Sequence, residues 1–329
     1  MSIEQVKHKF ESWLLGLPHV VGVGIGYKYV NGKPTNEIAV VVFVDKKVPK
    51  HLLKPEHVVP ESLEGFKTDV REKYFRAFYS PEDKQKRWRP VPGGVSIGHY
   101  RITAGTLGCV VTDKTDGEKV ILSNNHVLAN CNEAEIGDPI LQPGPYDGGK
   151  LFDDAVGKLK RFVPIQFAED STCPISKTVC KIFNRLAKLA GSKARLTVIR
   201  DVSNTVDCAI ASPTADVDGN ILDIGTPTGV ADGFLGMEVR KSGRTTCLTE
   251  GRIDTVNLTV RVSYGSKTAL FVNQIGIQPK EGKFSAGGDS GSAILFGDKL
   301  VGLLFAGDET GYTIGNKIID VFNALNVGL

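Results

Sequence analysis

No stretch of this sequence approaches the ~20 consecutive apolar residues of a membrane-spanning helix, so a span of that kind is not expected. The six cysteines, at 109, 131, 173, 180, 208 and 247, include no Cys-x-x-Cys pair. A His-Glu-x-x-His run is also missing, so the usual dithiol and zinc signatures are absent and no metal is expected. Cys173 and Cys180 fall on one predicted helix, about 10 Å apart by helix rise, too far to bridge. Free buried thiols in a reducing compartment are therefore the expectation. Charge of one sign is scarce as well: the formal net charge is +3 over 329 residues. No Lys/Arg cluster sits beside aromatic residues as a nucleic-acid groove would need. Neither a nucleic acid nor a membrane is an expected partner. Glu4, Lys7, Lys9 and Glu11 break up any apolar core of a secretory leader, so a cytoplasmic location is expected.

What is present is ordinary globular material, 41% hydrophobic and 23% charged, enough to build a large buried core. Ser2 and Gln5 stand in capping-box spacing. Ile3, Val6, Phe10, Trp13, Leu14 and Leu17 then repeat with helical period. Two β-rich runs follow, separated by Asn31-Gly32, a hairpin signal whose turn extends through Lys33-Pro34. Val48 to Pro60 reads as a Pro-punctuated loop with a short helix, and Phe66 to Glu72 as a third strand. Residues 1–78 thus form a small α/β module, and 79–92 a charged, Pro-containing linker. From 93 to 329 the texture is short apolar runs cut by glycines, the pattern of antiparallel barrels. Two helical passages interrupt it, Pro174 to Ala190 and Asn316 to Leu325.

The strongest chemical signal is Gly287-Gly288-Asp289-Ser290-Gly291. Glycines around a serine allow a tight turn that lifts the hydroxyl away from the chain. The same turn leaves backbone N–H groups, here of Gly288 and Ser290, free to face a developing oxyanion. Alone, this is a short motif that ordinary turns also contain. Two further segments change its meaning. The Val120–Ser123 run delivers Asn124-Asn125-His126, and Val206-Asp207-Cys208-Ala209 sets a carboxylate at the mouth of an apolar strand. A serine hydroxyl is a weak nucleophile until an imidazole takes its proton, and a carboxylate fixes that imidazole's tautomer.

The order His126, Asp207, Ser290 and these contexts resemble the chymotrypsin-fold, trypsin-like serine proteases. Ser123-Asn124-Asn125-His126-Val127 is similar to the His motif of the HtrA-type branch. Val239 to Thr246 resembles a segment of the streptogrisin and α-lytic-type enzymes. Ser290 to Gly307 aligns without gaps with the end of the second trypsin barrel. With the N-terminal module, the chain looks closest to intracellular bacterial relatives of the plant narrow-leaf-type proteins. The resemblance implies a mainly β fold, with two antiparallel Greek-key barrels behind the small α/β module. It implies a serine endopeptidase without a cofactor, in which Phe305, Ala306 and Gly307 line the substrate. By position, Phe284 falls near the floor of the specificity pocket, with Asp308 as the acidic alternative. Lys241 would pair with Asp289 and form the nucleophile loop without proteolytic processing.

The sequence departs from the family in two places. The span from His126 to Asp207 is long and contains a helical passage, and Ser292 stands where Gly is usual. Asp154, in Asp153-Asp154-Ala155-Val156, is a second candidate for the triad acid. Gly22-Val23-Gly24-Ile25-Gly26 is no nucleotide loop, because strand rather than helix follows. Asp216 to Asn220 is no calcium loop, because Ile221 stands where the invariant Gly should be and no Glu closes it. A protein or peptide substrate is the expected partner, with a regulatory protein or a second copy of the chain as further candidates. A protease-like chain that only binds, signals or awaits a partner is the competing reading.

Overall fold

A computed structural model describes residues 1–73, 75, 84–102, 104–170, 174–189, 199–200 and 202–329. Cys173, Ala190 and linker residues 79–83 lie outside the described residues.

The chain opens with a helix, Ile3–Leu15, closed at its start by the capping box. Ser2 Oγ accepts from Gln5 N at 3.4 Å and Gln5 Oε1 accepts from Ser2 N at 2.9 Å. Its apolar face, including Val6, Leu14 and Leu15, packs on Val20, Val40 and Val42 of the following hairpin. The hairpin, Val20–Val30 and Lys33–Val44, turns on two residues rather than four. Val30 pairs with Lys33 across Asn31 and Gly32, whose φ of 51° and 77° supply the right twist. Phe66–Glu72 adds in parallel to the second hairpin strand. Val48 to Pro60 holds two short 3-10 turns, Lys50–Leu52 and Pro55–His57.

The remainder is mainly β and forms two half-barrel sheets. One contains eight strands. At its centre, Lys119–Ser123 pairs with Cys109–Asp113 on one side and Ala209–Pro213 on the other. The other sheet is built on the strands Glu238–Gly243, Cys247–Tyr264, Lys267–Pro279, Ala293–Phe296, Lys299–Gly307 and Thr313–Lys317. Each barrel has its own core, around Ile97, Ile121 and Val156 in the first and Val239, Ile253 and Leu304 in the second. No helix among the described residues is long and apolar enough to cross a membrane.

Two further features differ from the sequence reading. The N-terminal strands are not a sheet of their own. They continue the second sheet, because Val20–Val30 pairs antiparallel with Cys247–Tyr264. The alternating glycines make that approach possible: a Cβ on Gly22 would lie 3.0 Å from the Thr259 carbonyl, and one on Gly26 would collide with that of Asp254. The last helix begins at Ile318, not Asn316. Asn316 lies in the Thr313–Lys317 strand, and its side chain bonds to Gln274 and to the backbone of Asp207 instead.

Candidate active site

Ser290 sits in a turn that only glycine can complete. Gly288 and Gly291 have φ of 91° and 95°, and a Cβ on Gly291 would strike Ser123 and the Thr106 carbonyl. The turn is tied to the first barrel by Thr106, whose N–H donates to Ser290 O at 2.7 Å and whose hydroxyl donates to Gly288 O at 2.7 Å. Among the described residues, the Gly288 and Ser290 N–H groups donate to no other group of the chain. The Ser290 hydroxyl donates to the Phe305 carbonyl at 3.5 Å.

His126 lies on the short helix Asn125–Leu128, directly after the Lys119–Ser123 strand. Asn125 anchors that helix through Asn132 and the Val163 carbonyl. Asp207 stands just before Ala209–Pro213, the strand hydrogen-bonded beside Lys119–Ser123, so the sheet register places acid and imidazole together. His126 Nδ1 and Asp207 Oδ2 are 2.6 Å apart, and His126 N donates to Asp207 Oδ1 at 3.2 Å. Oδ2 also accepts from the Tyr264 hydroxyl at 2.7 Å. Asn124 Nδ2 donates to Asp207 O, and Asp207 N to Asn316 Oδ1. The Ser290 carbonyl and Val127, next to His126, meet across Gly105, where any Cβ would touch both. The two barrels thus bring Ser290 and His126 to one seam.

Asp154 is elsewhere. Its carboxylate pairs with Arg87 at 3.1 Å and accepts from Lys150 N at 2.9 Å.

Asp289 points into the second barrel with no exposed surface. Oδ1 accepts from Thr245 N at 2.8 Å and Thr246 N at 3.2 Å. Oδ2 accepts from the Thr246 hydroxyl at 2.7 Å and Ala286 N at 2.9 Å. Lys241 Nζ lies 3.5 Å from Oδ2 and donates to Thr246 Oγ1 and to Cys247 O. Burial lowers the Lys241 pKa from its ordinary value, and the Asp289 charge opposes that shift. Next to this group, Arg244 and Asp147 make a fully buried ion pair between the barrels.

The predicted substrate positions divide. Phe305, Ala306 and Gly307 end the Lys299–Gly307 strand beside Ser290, with the Phe305 ring 4.7 Å from that of Phe271. Phe284 is packed into the second core among Val239, Ile253 and Ile277. Its neighbour Ser285 pairs instead with Thr313, hydroxyl to hydroxyl, at 2.5 Å. Asp308 is held by Lys73 at 3.2 Å and by the N–H groups of Thr310 and Tyr312. Tyr264, Asn316, Thr245 and Thr246 escaped the sequence reading. Only the Thr245-Thr246 pair, following the Ser242-Gly243-Arg244 segment, carried a local signal. Among the described residues no cluster of three or more His, Cys, Asp or Glu could hold a metal ion.

Residues 4–71 match the family model described as the NARROW LEAF 1 N-terminal domain. The chain is 24% identical over 304 residues to Protein NARROW LEAF 1 of Oryza sativa subsp. japonica, covering 84% of this chain and 48% of the relative. It therefore spans about half the length of the curated relative it matches. Among solved structures, Nocardiopsis protease (NAPase) is similar at 17% identity, with 73% of this chain and 98% of that one covered and a TM-score of 0.45. Thermobifida fusca protease A gives 18%, 73%, 97% and 0.44. A glutamic acid-specific serine protease gives 21%, 73%, 100% and 0.43. The chain is similar to the narrow-leaf N-terminal domain over residues 4–71 and, over nearly three-quarters of its length, to these solved proteases.

Proposed function

We propose that this chain is an intracellular serine endopeptidase using His126, Asp207 and Ser290. In this reading His126 takes the Ser290 proton as Oγ attacks a peptide carbonyl, while Asp207 holds the imidazole and stabilises its charged form. The oxyanion of the tetrahedral intermediate accepts from Gly288 N and Ser290 N, where one donor is typically worth ~10²–10³ in rate. His126 then returns the proton to the leaving amine. Water, activated by the same imidazole, hydrolyses the acyl-enzyme and regenerates the hydroxyl.

The observation that carries the proposal is the pairing of a 2.6 Å His126–Asp207 contact with a serine turn whose Gly288 and Ser290 N–H groups have no other partner among the described residues. The free thiols Cys109, Cys131, Cys180, Cys208 and Cys247 support a reducing compartment. A proteome-wide cleavage profile of the wild type against Ser290→Ala tests the activity. New termini made only by the wild type are expected, and identical profiles would defeat the reading.

One observation favours a second, partner-activated reading. Ser290 is 0% and His126 2% exposed, and the serine hydroxyl is turned to the Phe305 carbonyl. In this reading a regulatory protein or a second copy of the chain opens the site to substrate.

A further inference from the structure

Asp207 is buried without exposed surface, and its Oδ2 accepts two donors, His126 Nδ1 and the Tyr264 hydroxyl. Apart from that hydroxyl, the carboxylate oxygens are held by His126 alone, through the imidazole on Oδ2 and the backbone N–H on Oδ1. The Tyr264 hydroxyl adds a donor from the other barrel and so restrains the carboxylate independently of the residue it orients. The Tyr264 ring is itself wedged against His126 at 5.7 Å, Phe167 at 5.7 Å and Phe271 at 6.3 Å. A phenylalanine would fill that space equally well; the hydroxyl at 2.7 Å from the carboxylate is what phenylalanine lacks.

Tyr264 is the last residue of the Cys247–Tyr264 strand, and the N-terminal segment clamps that strand just before it. Gly22 and Val23 pair with Val260 and Thr259. From the first helix, the buried Lys7 ammonium donates to the Thr259 hydroxyl at 2.9 Å, and Arg261 donates to the Leu15 carbonyl at 2.7 Å. Thr259 to Tyr264 spans roughly 17 Å of extended chain. A continuous run of bonded groups therefore links the first helix to the Asp207 carboxylate.

We propose that Tyr264 is a positioning residue for Asp207, and that the N-terminal segment sets the reactivity of the site by holding the strand that carries Tyr264. The proposal rests on the hydrolase reading for its effect on rate, but not for its effect on the His126–Asp207 hydrogen bond.

The test uses the full chain as wild type, Tyr264→Phe, Arg261→Ala and the double variant. Two quantities are measured: the second-order rate of labelling by a fluorophosphonate, and the downfield proton resonance on His126 Nδ1. Tyr264→Phe is expected to slow labelling about tenfold and to move the resonance while leaving the thermal midpoint close to wild type. Arg261→Ala is expected to slow labelling about threefold in the wild type and not at all in the Tyr264→Phe background, since coupled residues are non-additive. An unchanged rate and resonance in Tyr264→Phe would overturn the positioning role. Additive losses in the double variant would overturn the link to the N-terminal segment. If the wild type takes no label either alone or with its protein partners, the hydrolase reading fails, and the resonance alone decides the role of Tyr264.

Discussion

Lys241→Met removes the buried cation beside Asp289 while keeping most of the side-chain volume. Breaking a buried pair by deleting one partner typically costs ~3–5 kcal/mol, because the remaining charge is left uncompensated. Here the surviving carboxylate keeps four donors, Thr245 N, Thr246 N, the Thr246 hydroxyl and Ala286 N, and the ammonium stands off at 3.5 Å. The loss therefore belongs at the low end, about 3 kcal/mol. It is not negligible, because Lys241 also donates to Thr246 Oγ1 and so holds the hydroxyl that Asp289 accepts from. Urea unfolding checks the figure: with a slope near ~3 kcal/mol/M, the midpoint drops by about 1 M. Labelling by a fluorophosphonate should fall in parallel, since Asp289 anchors the turn between Gly288 N and Ser290 N. Lys241→Arg keeps the charge and should retain most of that stability. A Lys241→Met variant within about 1 kcal/mol of wild type, or a Lys241→Arg variant no more stable than Lys241→Met, would refute charge pairing as what holds this turn.

The two carboxylate candidates separate cleanly: Asp207→Asn should lower turnover by ~10⁴ with the fold intact. Asp154→Asn, at a carboxylate that pairs with Arg87 and accepts from Lys150 N, should change turnover little; equal losses would reverse the assignment. Small or apolar side chains are expected before the cut, because Asp308, the acidic alternative, is held by Lys73. A profile dominated by Arg and Lys would contradict that. Native Cys109, whose thiol burial pushes up to about 12, should resist iodoacetamide at pH 8 and react once unfolded, as mass mapping would show.

The parts of the site that could be read from sequence are those written in consecutive residues. The Ser290 turn needs glycines at Gly288 and Gly291 for their positive φ, and the strand that delivers His126 is a plain apolar run. The first helix advertises itself through Ser2 and Gln5. Tyr264 and Asn316 gave no such signal. Each reaches Asp207 from a strand of the other barrel, and only tertiary pairing brings it there. The Gly22–Gly26 alternation was visible, but its purpose, a close backbone approach to Thr259 and Asp254, requires knowing which strand lies opposite. Phe284 shows the limit of position counting: its ring packs against strands far along the chain, which a count back from Ser290 does not reveal.

The most direct test of a Ser290 nucleophile activated by His126 is intact-protein mass spectrometry after fluorophosphonate treatment, with peptide mapping of the adduct. A single adduct on Ser290 is predicted, absent in Ser290→Ala and slowed by orders of magnitude in His126→Ala. An adduct that persists in Ser290→Ala, or a wild type that stays unmodified with or without its protein partners, would contradict the account.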